Sequence, residues 1–215
     1  MFYKGKIPMV DIHSLDIHSR DIFGIVVRKN SHKDIRRLKS EMGITTIHGN
    51  KFWKSTILLI DYLQVSPPPT NKRILEIGCG WGIGGIYLAK YHNAIITSLD
   101  ADDSVFPHLQ YHADLNGVGV STIQSRYEDI TKKMLSEFDM VIASDVCFWD
   151  EMSQPLSDLI DRCYQAGVER VVMTDPGRQP FRDMAEHCAE KYAAIYENWS
   201  VPHPYNISGL VLDIR

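Results

Sequence analysis

The chain has 215 residues, enough for one α/β domain with a sizeable core and a modest N-terminal addition. Its 44% hydrophobic and 23% charged residues are ordinary for a globular protein, and its apolar runs fall far short of the roughly 20 residues that span a bilayer. A formal charge of −4 argues against general nucleic-acid binding, and Asp11, Asp16 and Asp21 interrupt any export or organelle signal, so a cytoplasmic protein without membrane or nucleic-acid partners is expected.

Residues 1–49 are expected to form an extension packed on a main domain that runs over 50–215. The extension carries Asp-Ile-His-Ser twice, at 11–14 and 16–19. A five-residue period fits neither a helix face nor a strand face. His13 and His18 with their aspartates find no third ligand at recognisable spacing, so no metal is expected. A β-like run follows over 22–27. Arg28, Lys29, Lys33, Arg36, Arg37 and Lys39 then concentrate positive charge. Asp34 and Glu41 are interspersed and no aromatic interleaves for base stacking, which reads as a solvated helix face. Over 50–64, Trp53, Ile57, Ile60 and Gln64 lie along one side of a helix, beside Thr56 and Leu63, and Pro67-Pro68-Pro69 stops it.

Ile74-Leu75-Glu76-Ile77 is a short apolar strand. It runs into the glycine-dense turn Gly78-Cys79-Gly80-Trp81-Gly82, and Ile83, Ile86, Tyr87 and Tyr91 then fall at helical spacing. A strand, tight turn and helix of this kind bring bare backbone and a helix N-terminus to a ligand at the carboxyl edge of a parallel sheet. Gly80, Gly82 and Gly85 match the dinucleotide pattern G-x-G-x-x-G, but counted from the strand end at Gly78 the third glycine position is Ile83. Glu76-x-Gly78-x-Gly80-x-Gly82 instead resembles motif I of the class I S-adenosylmethionine-dependent methyltransferases. There the carboxylate approaches the amino group of the ligand and the glycines admit its methionine end. Asp100 closes the next strand, 94–100, and stands where a carboxylate would hold the two ribose hydroxyls.

Strands are expected over 120–124, 139–144, 169–174, 194–199 and 209–214, and helices over 103–116, 154–166 and 179–191. The helix 154–166 carries the stripe Leu156, Leu159, Ile160, Cys163 and Tyr164 of a helix lying on a sheet. The last two strands have no crossover helix between them, which makes them antiparallel. The fold class is therefore α/β: a Rossmann-like seven-stranded methyltransferase sheet, mostly parallel with an antiparallel C-terminal strand, and helices on both faces. The four cysteines lack paired spacing and read as reduced, buried thiols.

The strand ending at Ser144 runs into Asp145-Val146-Cys147-Phe148-Trp149-Asp150-Glu151, so a carboxylate and two aromatics close a central strand. Asp145-x-x-Phe148 resembles the Asp-x-x-Tyr signature of the seven-β-strand protein lysine methyltransferases. Asp175-Pro176-Gly177-Arg178-x-x-Phe181 is similar to the Asp-Pro-Gly-Arg segment of the electron-transfer flavoprotein β-subunit lysine methyltransferase branch. The resemblance covers residue 50 onward. It departs in two places, Phe148 for tyrosine and the added Trp149. It implies S-adenosylmethionine as cofactor, a protein lysine as methyl acceptor, cofactor contacts from Trp53, Glu76, Gly78, Cys79, Gly80, Gly82, Asp100 and Ser144, and an adenine contact from Arg126 or Tyr127. Asp145, Phe148 and Trp149 are the expected catalytic residues. A carboxylate beside an amine raises the amine's pKa, so Asp145 is expected to orient the acceptor rather than deprotonate it, and the two aromatics to meet a cationic substrate with their ring faces. The alternatives are a small-molecule methyltransferase of the same fold and a non-catalytic cofactor-binding module.

Overall fold

The structure, a computed structural model, describes residues 16–42 and 51–215. Seven strands form one sheet: β3 (Arg73–Ile77), β4 (Ile95–Asp100), β5 (Ser121–Gln124), β6 (Met140–Ser144), β7 (Arg170–Asp175), β8 (Ile195–Val201) and β9 (Ile207–Ile214). Their spatial order is β5-β4-β3-β6-β7-β9-β8. All neighbours pair parallel except β9, which is antiparallel to both β7 and β8. The fold class and the antiparallel final pair are as the sequence implies.

Strand alternation divides the core into two layers. On one face Ile74, Met140, Ile142, Val172 and Val211 meet α2 (Ser55–Val65), α3 (Ile83–His92) and α4 (Phe106–Asn116). On the other, Leu75, Ile77, Val141, Ala143, Val171, Met173 and Leu212 meet α5 (Lys132–Leu135), α6 (Asp150–Ala166) and α7 (Gln179–Tyr192). Helix α2 buries eight of its eleven residues, because it is covered by the sheet beneath and by α3 beside it. It begins at Ser55, later than the expected helix start at 50, so Trp53 precedes it; residue 50 itself lies outside the described residues. Helix α6 starts four residues earlier than expected, at Asp150, and takes Pro155 inside its second turn, where the ring removes one backbone donor.

The run 22–27 is not one strand. It is split between β1 (Ser19–Ile22) and β2 (Ile25–Arg28), joined by Phe23 and Gly24 at φ 51° and 82°. Two residues of positive φ make the turn whose twist suits a hairpin. The open edge of β2 is closed by side chains of α4. Asn116 accepts from the Val26 N–H at 2.8 Å and donates to its carbonyl at 3.0 Å, and His112 Nε2 accepts from the Arg28 N–H at 3.1 Å. Helix α1 (Lys33–Met42) buries Ile35 and leaves Arg36 and Arg37 in solvent, the solvated face its charge pattern implies. Ile22, Ile25, Val27 and Ile35 join the same core layer as α2 and α3. The first Asp-Ile-His-Ser copy lies outside the described residues. In the second, His18 Nδ1 is 2.9 Å from Ser31 Oγ. Among the described residues all four cysteines are free and buried, and no helix is long and apolar enough to cross a membrane.

Candidate active site

Chain order reverses direction between β3 and β6, and the crevice outside the carboxyl ends of strands at such a point is where α/β sheets take ligands. A cavity of about 510 Å³ opens there, within the size range of small-molecule sites. One side is built by the β3–α3 turn and β4: Gly78, Gly80, Leu99, Asp100 and Asp102. The other is built by the end of β6: Ser144, Asp145, Val146, Phe148 and Trp149, with Trp53 across from them. Ser125, Arg126, Tyr127 and Glu128, after β5, complete the wall, so both candidates for the adenine contact line it.

The glycine turn is shaped for close approach. Gly78, Gly80 and Gly82 all have positive φ, and a Cβ built at Gly80 meets nothing within 4 Å, so it would stand in the cavity's own space. Asp100 Oδ2 accepts the Gly80 N–H at 3.0 Å and Oδ1 the Asp102 N–H at 3.1 Å. Burial lifts the Asp100 carboxyl above its usual pKa against these donors and the Ala101 N–H, and the carboxylate keeps acceptor capacity for a hydroxyl.

Three expected contacts are corrected. Glu76 shares its strand parity with Ile74, so it turns toward α3 and not into the cavity. There it is buried, accepts the backbone N–H groups of Gly84 and Gly85, and takes the Ser98 hydroxyl at 3.1 Å. It caps the orphan donors of the helix. A Cβ at Gly85 would stand 2.7 Å from both Glu76 Oε2 and Ile96, which is why two glycines open this helix. Burial pushes the Glu76 pKa up to about 7, opposed by those donors. Cys79 packs against Val105 and Leu109, and Gly82 backs onto Leu109, so neither lines the cavity. Glu76→Gln sets an amide NH2 against these donors and is expected to cost about 1–3 kcal/mol in urea unfolding. S-adenosylhomocysteine affinity should stay unchanged by calorimetry; a loss of affinity in excess of the stability loss would return Glu76 to the ligand.

Asp145 sits at φ 62°, with its N–H on the Thr174 carbonyl at 2.9 Å. Its Oδ2 accepts the Ser55 hydroxyl at 2.8 Å, and its Oδ1 pairs with Arg178 Nη1. Thr56 Oγ1 lies 2.9 Å from Ser144 Oγ, so the start of α2 braces the end of β6. Trp53 meets Phe148 edge-on at 5.3 Å between centroids. One face of Phe148 is covered by the Arg178 guanidinium, 4.5 Å from the ring centroid, so that face is closed to a cationic substrate. Trp149 is 56% exposed at the rim. Ser55, Arg178 and Met152 belong to this site and were not among the residues expected from the sequence. The Asp-Pro-Gly-Arg segment one strand over was the available signal for Arg178.

This sheet order, with its cavity at the switch point, is the Rossmann-like fold of class I methyltransferases. The crystal structure of a ribosomal protein L11 methylase from Lactobacillus delbrueckii subsp. bulgaricus shares it, with a TM-score of 0.56 at 16% identity over 75% of this chain and 78% of that one. The chain belongs to the lysine methyltransferase family, which it matches over residues 32–184. It is similar to a histidine protein methyltransferase 1 homolog of Dictyostelium discoideum, 29% identical over 55% of this chain and 42% of the relative. It is also similar to the electron transfer flavoprotein beta subunit lysine methyltransferase of Rattus norvegicus, 23% identical over 71% of this chain and 58% of the relative. The chain spans about half the length of these two relatives.

S-adenosylmethionine is the cofactor of such a protein. The residues present fit it: Gly80 leaves the turn open, Asp100 has acceptor capacity to spare, and among the described residues the charged lining is five carboxylates against Arg126, which suits a ligand bearing sulfonium and ammonium charge.

Proposed function

We propose that the protein is a cytoplasmic S-adenosylmethionine-dependent N-methyltransferase acting on lysine side chains of a protein, with a catalytic domain over 50–215 and residues 1–49 as an addition packed on it. The observation that carries this reading is the division of one cavity into two ends. Gly78, Gly80 and Asp100 offer bare backbone and a carboxylate at one end, and Asp145, Phe148 and Trp149 stand at the other, nearer the exposed rim. The lining's acidity favours a cationic acceptor arriving from outside.

When bound, S-adenosylmethionine supplies a methyl group already activated on a sulfonium. What remains for the protein is alignment and exclusion of water, and alignment alone can supply about 7–11 kcal/mol. Gly78 and Gly80 admit the amino-acid end, Asp100 holds the ribose, and Ser144 and Trp53 border the centre. Asp145 is the orienting acceptor: Arg178 lies against its buried Oδ1, Ser55 takes one lone pair of Oδ2, and the other lone pair of Oδ2 is left for the acceptor nitrogen. A free lysine has pKa near 10.4, so presenting its neutral form near pH 7.4 costs about 4 kcal/mol. The apolar walls of Val146, Phe148, Trp149 and Met152 favour that uncharged form.

A histidine acceptor is the second reading, favoured by the relative named as a histidine protein methyltransferase. The first experiment is calorimetric titration with S-adenosylhomocysteine. Micromolar binding is expected, reduced about 100-fold or more in Gly80→Arg, whose side chain fills the cavity from a backbone of positive φ. Incubation of a protein extract with labelled cofactor then separates the readings. Labelled lysine supports the proposal, labelled histidine the second reading, and labelled small products alone overturn both.

A further inference from the structure

Asp145 does not face the cavity bare. Arg178 Nη1 lies against its Oδ1 and also 2.8 Å from Oδ2 of the fully buried Asp175. Asp175 fixes the backbone as well, since its Oδ1 accepts the N–H groups of Gly177 at 2.8 Å and Arg178 at 2.7 Å. Arg182 Nε closes the turn on the Gly177 carbonyl at 3.0 Å. The Arg178 guanidinium also covers Phe148. Arg178 is thus held at its main chain and side chain, and it touches Asp145 and Phe148, two of the three residues placed at the acceptor end.

Resting on the reading above, we propose that Arg178 is a positioning residue of the acceptor site: it fixes Asp145 and Phe148, and it cancels one unit of negative charge where the acceptor nitrogen arrives. With both carboxylates ionised, Asp145, Asp175 and Arg178 sum to one negative charge. That draws a cationic side chain to the site. Without Arg178 that compensating charge is gone, and the more negative spot holds an entering amine as ammonium, whose lone pair is unavailable to attack.

Sinefungin tests this without a known substrate. It carries a primary amine on carbon in place of the methylsulfonium, so its charge sits where the transferable methyl would be, and S-adenosylhomocysteine has no charge there. The preference for sinefungin over S-adenosylhomocysteine is measured by calorimetry in each variant. It is expected to rise about fivefold in Arg178→Met and fall about fivefold in Asp145→Asn, the effect of one unit charge several ångströms away in a half-solvated cavity. Arg178→Lys restores the charge and should return the preference to its starting value. Its methyl transfer stays reduced, because an ammonium cannot span two carboxylates and a ring as a guanidinium does. A merely structural role would weaken both ligands alike. An unmoved preference in Arg178→Met and Asp145→Asn overturns the proposal. If Arg178→Met does not fold, the opposite shift in Asp145→Asn still decides. Absence of S-adenosylhomocysteine binding by the unmodified chain overturns the cofactor reading itself, a different result from binding with an unmoved preference.

Discussion

Asp145→Ala is expected to cut methyl transfer on the order of 100-fold or more while S-adenosylhomocysteine still binds within about threefold of the unmodified chain. The substitution removes both acceptor oxygens, releases Ser55 and leaves Arg178 with Asp175 alone. It also puts alanine at φ 62°, which asparagine tolerates better. Asp145→Asn therefore keeps an acceptor oxygen and a relaxed backbone, and should retain more activity than Asp145→Ala. Losing the negative charge favours the neutral amine, but by far less than lost alignment costs. Single-turnover rates with labelled cofactor and calorimetry on the same preparations check the split. Equal losses in rate and affinity would make Asp145 a cofactor residue instead.

Acid is expected to unfold the protein well above the pH where carboxylates ordinarily titrate. His108 and His112 of α4 are fully buried and both stack on Trp81, at 5.3 and 5.0 Å between centroids. Burial lowers both to about 4 from 6.5. A histidine whose folded pKa is depressed gives stability that is complete above 6.5 and lost as pH falls toward 4, because only the unfolded chain takes the proton. At about 1.4 kcal/mol per unit this amounts to about 3 kcal/mol for each ring. Glu76 works in the other direction: its raised pKa makes stability fall as pH climbs from 4.5 to about 7, by a similar amount. Two histidines outweigh one glutamate, so the net loss lies on the acid side. Among the described residues neither ring nitrogen of His108 has a hydrogen-bond partner, so His108→Phe keeps the stack on Trp81 at no cost in hydrogen bonds among them. Urea midpoints between pH 7 and 4.5 should fall in the unmodified chain and stay nearly level in this variant, where His112 and Glu76 offset each other. An identical slope in the two would remove His108 as a cause.

The parts of this molecule legible in the sequence are those written in local patterns. The strand, glycine turn and helix over 74–92, the spacing to Asp100 and the stripe of α6 all depend on neighbours along the chain, and the structure forms each of them, except that Tyr164 leaves the stripe for solvent. The site was legible where a residue's strand position fixes its surroundings, as for Asp100 and Asp145. Glu76 shows the limit. Its place at the end of a strand could be read, but the face it takes depends on the parity set by Ile74 and on how closely Gly85 lets α3 approach. Ser55 and Arg178 reach Asp145 from 90 residues before it and from the adjacent strand's far end, contacts that only the sheet order creates. The split of 22–27 into a hairpin was hidden because Phe23 is an unusual residue for positive φ, and its N–H donates to the distant Tyr205 hydroxyl at 3.0 Å.

The insertion of β9 between β7 and β8 bears on how the chain is made. Synthesis delivers β7 with its flank open, and the strand that closes it emerges only after α7 and β8. Until then the underside of α2 also lacks its cover, including the Asp213 carboxylate that takes the Tyr62 hydroxyl across 151 residues. A nascent chain thus carries an incompletely covered apolar helix and, between the synthesis of β7 and that of β9, an unpaired strand edge, features that invite misassembly and chaperone capture. Shortening the β8–β9 connection or slowing the ribosome before residue 207 should therefore change the yield of folded protein far more than the same change made before β5.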